Sequence, residues 1–197
     1  MRIFLAGATG VIGTRLIPLL VADGHVVAGM TRSAGRAGLI RGLGAEPVIC
    51  DVYDAAALTA AVTAFRPDLV LHQLTDLPDD AADIARSAGR NRRMREEGTR
   101  HLLAAARAAG PARVIAQSIS WEQAGEEAQA ATGAFERMVL RDGGVVIRYG
   151  QFWGPGTYYP DGPPGRPRIH LDDAARQTVA ALGTPPGLTL VADDRAS

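Results

Sequence analysis

The sequence predicts an α/β fold with a doubly wound parallel sheet of about seven strands and helices on both faces. Two observations lead to this prediction. Short runs that are almost wholly apolar, such as residues 3–6 and 69–74, alternate with longer segments of helical periodicity. Strands that are apolar throughout are typical of parallel sheets buried on both faces.

The first strand leads directly into a glycine-rich turn, and an apolar helical segment follows it. In such a turn the first glycine permits a tight bend, the second lets backbone N–H groups approach a pyrophosphate, and the third allows close helix packing. The helix N-terminus adds the positive end of its dipole. This context favours a Rossmann-type dinucleotide site over a glycine turn without a ligand. We expect cofactor contacts from Gly7, Thr9, Gly10, Val11, Ile12 and Gly13.

The region after the second strand indicates which dinucleotide is bound. An acidic residue about twenty positions beyond the turn would bind the ribose 2′-hydroxyl of NAD, but none occurs between Gly24 and Glu46. Arg32 lies there instead, followed by Arg36. Guanidinium groups at this point accommodate a 2′-phosphate. The sequence therefore predicts NADP(H) rather than NAD, and the alternative is that both arginines belong to a solvated helix start.

The remaining elements follow in chain order. Further strands are predicted over residues 25–30, 46–50, 114–116, 145–149 and 188–192. Helices are predicted over residues 33–43, 54–65, 122–141 and 172–182, and one long helix over residues 80–109, which Gly89 and Gly98 can interrupt. We interpret residues 1–197 as one domain. Residues 151–170, rich at first in Gly, Pro and aromatic residues, are predicted to form a loop that covers the substrate pocket.

Composition excludes several classes of partner. The 21 basic residues are all arginine and balance 21 acidic ones, so no electrostatic case exists for nucleic acid or an acidic membrane. The single Cys50 suits a reducing compartment. Neither a signal-peptide pattern nor an uncharged stretch of membrane-spanning length is seen, so we expect a cytoplasmic protein. No metal site is expected.

Five motifs, in chain order, resemble those of the extended short-chain dehydrogenase/reductase superfamily, in its NAD-dependent epimerase/dehydratase-like branch. They are residues 7–13, Asp51-Val52, residues 98–103, Arg148-Tyr149-Gly150 with residues 154–156, and residues 170–175. The resemblance implies that Asp51 and Val52 bind adenine. Ligands of open α/β sheets bind at the carboxyl ends of strands, so Leu74 and Thr75 are also expected to contact the cofactor.

The expected catalytic machinery is incomplete. Enzymes of the superfamily use a Ser together with a Tyr-x-x-x-Lys pair, in which Tyr is the acid and base. Glu136, aligned with a family Glu, would place that pair at Ala128 and Thr132, and the chain contains no Lys at all. Ser118 matches the family Ser, with Ser120 nearby. The helix Asn expected three residues before Gly98 is Arg95.

These departures shape the expected function. Between Tyr159 and His170 this chain is shorter than the sugar-nucleotide epimerases. The difference indicates a reduced C-terminal substrate region and argues against a nucleotide-sugar substrate. We expect an atypical NADP(H)-dependent reductase of a small, apolar or aromatic biosynthetic metabolite. Ser118 and Ser120 would bind a substrate oxygen, and Tyr158 is a candidate proton donor.

Two alternatives remain open at this point. One is a non-redox isomerase, cyclase or dehydratase on the same scaffold, and the other is a non-catalytic NADP(H) sensor. The resemblance also implies a homodimer formed through the two helices over residues 81–109 and 122–140.

Overall fold

Parallel pairing joins seven of the nine strands found in the described residues into one sheet. The computed structural model describes residues 1–78, 80–110, 112–123 and 125–193. The strands are β1 (Arg2–Ala6), β2 (Val26–Thr31), β3 (Glu46–Ile49), β4 (Leu69–His72), β5 (Arg113–Ile119), β6 (Val145–Tyr149), β7 (Gln151–Trp153), β8 (Arg168–His170) and β9 (Gly187–Val191). The predicted seven-stranded parallel sheet is confirmed.

The strand order is β3-β2-β1-β4-β5-β6-β9. The chain builds outward from β1 to β3, then crosses back so that β4 pairs with the other side of β1. At the end of β1, Ala6 is therefore flanked by Met30 of β2 and His72 of β4. In open α/β sheets ligands bind beyond the carboxyl ends of the strands at such a reversal of order. The segments that follow β1 and β4 are therefore expected to form the ligand site.

Helices cover both faces of the sheet, as predicted. They are α1 (Gly13–Ala22), α2 (Ala37–Gly42), α3 (Ala55–Phe65), α4 (Ala88–Arg93), α5 (Thr99–Ala108), α6 (Glu126–Arg141) and α7 (Leu171–Ala180). One core cluster contains buried residues of α1, α2 and α7, and a second contains those of α3 and α5. The buried residues Phe135 and Val139 of α6 pack beside the second cluster's face, against Ala116 and Val146.

The long helix predicted over residues 80–109 is wrong as a single element. The structure has short 3₁₀ turns at Ala81–Asp83 and Ala85–Ser87, then α4, a π-helical turn at Met94–Gly98, and α5. Gly98 is buried, and a Cβ there would lie 2.9 Å from the Met94 sulfur and 3.4 Å from Val52. Close packing thus requires glycine at position 98, although glycine has a low helix propensity. The wider π turn accommodates this glycine within the helix.

Residues 151–170 are not a loop throughout, since β7 and β8 pair in parallel at the two ends of this segment. A Cβ on Gly150 would lie 2.6 Å from the carbonyl carbon of Arg168, so the absence of a side chain allows the two backbones to meet. The residues between β7 and β8 form the loop itself. Strand periodicity could not reveal runs this short, because each contains three residues.

Candidate cofactor and substrate site

The glycine turn is built from two contacts that exclude any side chain. Gly7 follows β1 with a φ of +92°. A Cβ on Gly7 would lie 2.6 Å from the carbonyl oxygen of Gln73, and one on Gly13 would lie 2.2 Å from the carbonyl oxygen of Gly7. Only glycine fits at both positions. The start of α1 is therefore held against the turn, and the turn is held against the chain leaving β4.

The N-terminus of α1 offers free amide donors. The N–H of Gly10 donates to the carbonyl oxygen of Gly7 at 3.1 Å, which closes the turn. No side chain caps α1, and its first turn holds no acidic residue. Within the described part of the chain, the N–H groups of Val11 and Ile12 find no acceptor. Unpaired N–H groups at a helix N-terminus attract anions, so the turn fits a pyrophosphate.

Arg32 and Arg36 flank this turn. Arg36 donates from Nη1 to the carbonyl oxygen of Thr9 at 3.2 Å. The Arg32 side chain is 67% exposed, and its Nη2 lies 3.7 Å from a carboxylate oxygen of Asp76. Sequence spacing did not reveal Asp76 as a neighbour, because it comes from the loop after β4. The cleft beyond the carboxyl ends of β1, β2 and β4 therefore holds two cations and one carboxylate where the ribose 2′ position is expected.

Asp51 and Val52 lie beyond the end of β3. Asp51 is exposed and accepts a hydrogen bond from the N–H of Tyr53 at 3.0 Å. Val52 is buried, and its carbonyl oxygen accepts a hydrogen bond from Nδ1 of His101 at 2.9 Å. The guanidinium of Arg93 lies 4.0 Å from the centre of the Tyr53 ring. Sequence reasoning did not identify Tyr53 and Arg93, which form a cation–π pair beside Asp51.

Leu74 and Thr75 lie opposite the glycine turn. The N–H of Leu74 donates to Nδ1 of His72 at 3.3 Å, and Thr75 is exposed. The N–H of the next residue, Asp76, donates to Oδ1 of Asn91 at 3.2 Å. The loop that carries Asp76 is therefore tied to both β4 and α4, and the two predicted contact residues form one wall of the cleft.

Ser118 is committed to a buried carboxylate. Its hydroxyl donates to Oε1 of Glu136 at 2.6 Å. Arg148 donates to both oxygens of Glu136, at 2.9 Å from Nε and 2.5 Å from Nη2. Burial acts to raise the pKa of Glu136, but the hydrogen bonds from Arg148 and Ser118 outweigh it and hold that pKa below its ordinary value. The proton of Ser118 therefore points at Glu136.

The other predicted hydroxyls also have acceptors within the chain. The hydroxyl of Ser120 donates to the carbonyl oxygen of Tyr149 at 3.0 Å. The hydroxyl of Tyr158 donates to the carbonyl oxygen of Pro78. The structure thus directs Ser118, Ser120 and Tyr158 to three different acceptors and does not bring them together as one catalytic group.

Two further titratable groups near the strand ends are held in their neutral forms. His72 is buried in contact with the Thr99 hydroxyl, at 2.9 Å, and burial together with the nearby Arg95 lowers its pKa to about 4. Tyr149 is buried with its hydroxyl 2.6 Å from that of Thr178, and burial raises its pKa to about 12. Neither group titrates near neutral pH, where a proton-transfer residue is most effective.

A guanidinium contacts the position of the missing Lys. On α6, the hydroxyl of Thr132 donates to the carbonyl oxygen of Ala128 at 3.0 Å, so the positions expected for Tyr and Lys contact each other. Arg95, from the π turn, donates from Nη1 to the same Thr132 hydroxyl oxygen. Because a guanidinium keeps its proton in proteins, Arg95 supplies charge here and no acid–base chemistry.

The segment after β7 lies across the cleft. Arg15, on α1 beside the glycine turn, donates from Nη2 to the carbonyl oxygen of Pro155 at 2.9 Å. Tyr158 reaches the chain after β4 through Pro78. Residues 154–158 thus contact both α1 and the segment after β4, on opposite sides of the sheet reversal.

The described residues contain no group of three or more His, Cys, Asp and Glu side chains able to hold a metal ion. Cys50 is buried, and burial and the neighbouring Asp54 and Asp51 raise the pKa of its thiol. Over the same residues, no helix combines the length and apolar content needed to cross a membrane.

Two reductases are similar in sequence to this chain. The chain is 36% identical, over 92% of its length, to a 3-diazoavenalumate denitrifying reductase from a Streptomyces species, and it covers 72% of that protein. It is 30% identical, over 78% of its length, to a 4-hydroxy-2-methyl-3-oxo-4-farnesyl-3,4-dihydroquinoline-1-oxide ketoreductase from Stigmatella aurantiaca, of which it covers 51%.

A solved structure shares the fold at low identity. The UDP-glucose 4-epimerase of Thermus thermophilus, in complex with NAD, aligns with a TM-score of 0.79 and 20% identity. The alignment covers 99% of this chain and 78% of that one. A family model described as NAD(P)H-binding matches residues 7–144. The chain therefore belongs to the NAD(P)H-binding family.

Proposed function

We propose that this chain is an NADP(H)-dependent reductase of a small aromatic metabolite, and that the reduction needs no proton from a protein side chain. One observation carries the proposal. A glycine turn suited to a dinucleotide lies beside a site in which Ser118, Ser120 and Tyr158 donate their hydroxyl protons to acceptors within the chain. The NAD(P)H-binding family and the two reductase relatives support a nicotinamide cofactor.

Different residues of the cleft would bind different parts of the cofactor. The N–H groups of Val11 and Ile12 would bind the pyrophosphate, and Asp51 would accept a hydrogen bond from adenine. Arg32 and Arg36 would hold a 2′-phosphate, with Asp76 displaced from Arg32. Two guanidinium groups against one carboxylate favour the phosphate over a bare hydroxyl.

Because the candidate hydroxyls donate their protons within the chain, the site favours a reduction that needs no side-chain proton donor. When bound, the cofactor would supply a hydride. Reduction of a ketone, as named for the Stigmatella relative, also needs a proton at the new hydroxyl oxygen. Reductive loss of nitrogen from a diazo compound, which the Streptomyces relative's name describes, needs no such proton. A hydride on the diazonium-bearing ring carbon forms C–H while the C–N bond breaks and N₂ leaves with the electron pair. We therefore propose an aromatic diazo compound as substrate.

The reaction can be tested with para-hydroxycinnamate that carries a diazo group ortho to its hydroxyl. We expect one NADPH consumed and one N₂ released per product, and deuterium from the labelled cofactor on the ring carbon. Tyr158→Phe and Ser120→Ala should keep the rate within about threefold, because neither hydroxyl donates a proton. A general acid would instead contribute about 10²–10⁴ in rate.

Other outcomes would contradict the proposal. A hundredfold loss in Tyr158→Phe with unchanged NADPH binding would make Tyr158 a proton donor. Product formed without NADPH consumption would support the non-redox alternative. NADPH binding without turnover of either the diazo probe or a panel of aromatic ketones would support a sensor.

A further inference from the structure

The ion cluster beside α6, in which Glu136 is buried and the Arg148 side chain is 42% exposed, has more positive than negative charge. Glu136 accepts three hydrogen bonds, one from Ser118 and two from Arg148, so both its oxygens are engaged. Arg95 lies close enough to Glu136 to feel its charge but makes no ion pair with any described carboxylate. With His72 neutral, two guanidinium groups face one carboxylate.

Arg95 itself is only partly neutralised by this arrangement. The side chain is half-buried, and burial lowers the pKa of its guanidinium while Glu136 acts to raise it. The hydrogen bond shown by the structure is to the Thr132 hydroxyl, which is neutral. A charge removed from water without an ionic partner is costly, so this position favours an anion.

Arg95 lies on the opposite face of the sheet from the helix that forms the pyrophosphate site. The pyrophosphate site is formed by α1, which packs on the face of the sheet shared with α7. Arg95 contacts α6, which packs on the opposite face through Phe135 and Val139. Its neighbours His72 and Thr132 place it near the carboxyl ends of β4 and β5, where the substrate end of the cleft lies.

We propose that Arg95 binds a carboxylate of the substrate, so that the substrate class is an aromatic carboxylic acid; this rests on the proposed function. A guanidinium presents two parallel N–H donors to the two oxygens of a carboxylate. Thr132 accepts one N–H of Arg95 and thereby orients the group. The π turn at Met94–Gly98 places Arg95 against α6, and such turns are frequent at functional sites.

The test is calorimetric titration of NADP⁺-saturated protein with para-hydroxycinnamate and with its methyl ester. The wild-type protein should bind the acid at least about tenfold more tightly than the ester. Arg95→Gln should abolish this preference, and Arg95→Lys should retain part of it, because Lys keeps the charge without the paired donors. Arg100→Gln, which alters an exposed arginine of α5, is the matched control and should behave as wild type. NADP⁺ affinity should be unchanged in all variants.

Several results would overturn this assignment. One is a wild-type protein that binds neither probe, or that binds the acid and the ester equally. Another is an Arg95→Gln variant that still prefers the acid to the ester. If Arg95→Gln is poorly folded, as judged by its melting curve, an Arg95→Lys variant with full preference overturns it equally. Weaker NADP⁺ binding by either Arg95 variant would assign the guanidinium to the cofactor. Failure of the proposed function would give a different result from failure of the Arg95 assignment. The diazo probe would then bind through its carboxylate, but NADPH would not be oxidised.

Discussion

Three charged side chains bear on the choice of cofactor. Arg36 donates to the Thr9 carbonyl, which holds its guanidinium beside the glycine turn. Arg32 extends into solvent and meets the Asp76 carboxylate at 3.7 Å, a loose ion pair that an exposed geometry makes weak. A phosphate with about two negative charges would compete effectively with one carboxylate for this guanidinium.

Removal of the Arg32 charge and removal of the Asp76 charge should change the preference for NADPH over NADH in opposite directions. We expect NADPH to raise the melting temperature of the wild-type protein more than NADH does at equal concentration. Arg32→Ala should remove most of that difference, because the 2′-phosphate loses its partner. Asp76→Asn should enlarge it, because the competing carboxylate is gone. Thermal denaturation with each cofactor measures both effects.

The matched control for this prediction is Arg41→Ala, which removes an exposed arginine of α2. It should leave both cofactor shifts unchanged. Equal stabilisation of the wild-type protein by NADH and NADPH would refute the predicted NADP(H) preference, whatever the variants do.

Between elements, Glu136 joins the C-terminal half of the sheet to α6. The carboxylate on α6 accepts hydrogen bonds from Ser118 of β5 and Arg148 of β6, and those two residues are paired in register. One side chain therefore links a helix to two neighbouring strands. The same contact engages the hydroxyl of Ser118, so under the proposed function the position that matches the family Ser serves packing.

Glu136→Gln should lower the free energy of unfolding by about 1–3 kcal/mol at neutral pH, because charged hydrogen bonds from Arg148 and Ser118 are weakened. The pKa of Glu136 is held below its ordinary value of 4.5 in the folded protein. Its carboxylate therefore stabilises the fold above that pH, and this stabilisation is lost as pH falls through the folded-state pKa. Urea unfolding at several pH values should show the wild-type advantage shrinking below about pH 4.5.

Glu127→Gln provides the comparison on the same helix. Glu127 is 89% exposed and pairs with Arg92 at 3.3 Å. Such an exposed pair contributes about 0–1 kcal/mol, so this variant should stay close to wild type. Equal effects of the two substitutions, or a Glu136→Gln effect that grows in acid, would contradict the assigned role of Glu136.

At the scale of the whole molecule, zero net charge leaves no long-range electrostatic barrier to self-association. The expected homodimer uses the helical face over residues 81–109 and 122–140. Within it, Ile84 is an apolar side chain with 39% exposure. On the edge strand β9, Leu190 is 55% exposed on a different part of the surface.

We expect light scattering during size-exclusion chromatography to give twice the chain mass of 20.7 kDa. Ile84→Asp should shift the protein toward the monomer, because a charge would be buried in the interface. Leu190→Asp should leave the dimer intact. A wild-type mass of one chain at micromolar concentration would refute the predicted dimer.

Local patterns in the sequence determined the fold. Apolar runs and helical periodicity depend on neighbouring residues, so the seven-stranded parallel sheet and the glycine turn at Gly7 to Gly13 were predictable. The missing Lys was equally a property of the sequence alone. The breaks between residues 80 and 109 were not predictable in detail, since the π turn depends on how Gly98 meets Val52 across the core.

Only the tertiary structure decided which side chains meet. Asp76 reaches Arg32, Arg95 reaches Thr132, and Arg148 reaches Glu136, and each pair joins separate elements. Sequence spacing carries no record of such contacts, because packing of helices on the sheet brings together residues that are distant along the chain. The sequence by itself thus determined the fold and the expected cofactor turn, while the structure determined where the hydroxyl protons point and where an unpaired charge lies.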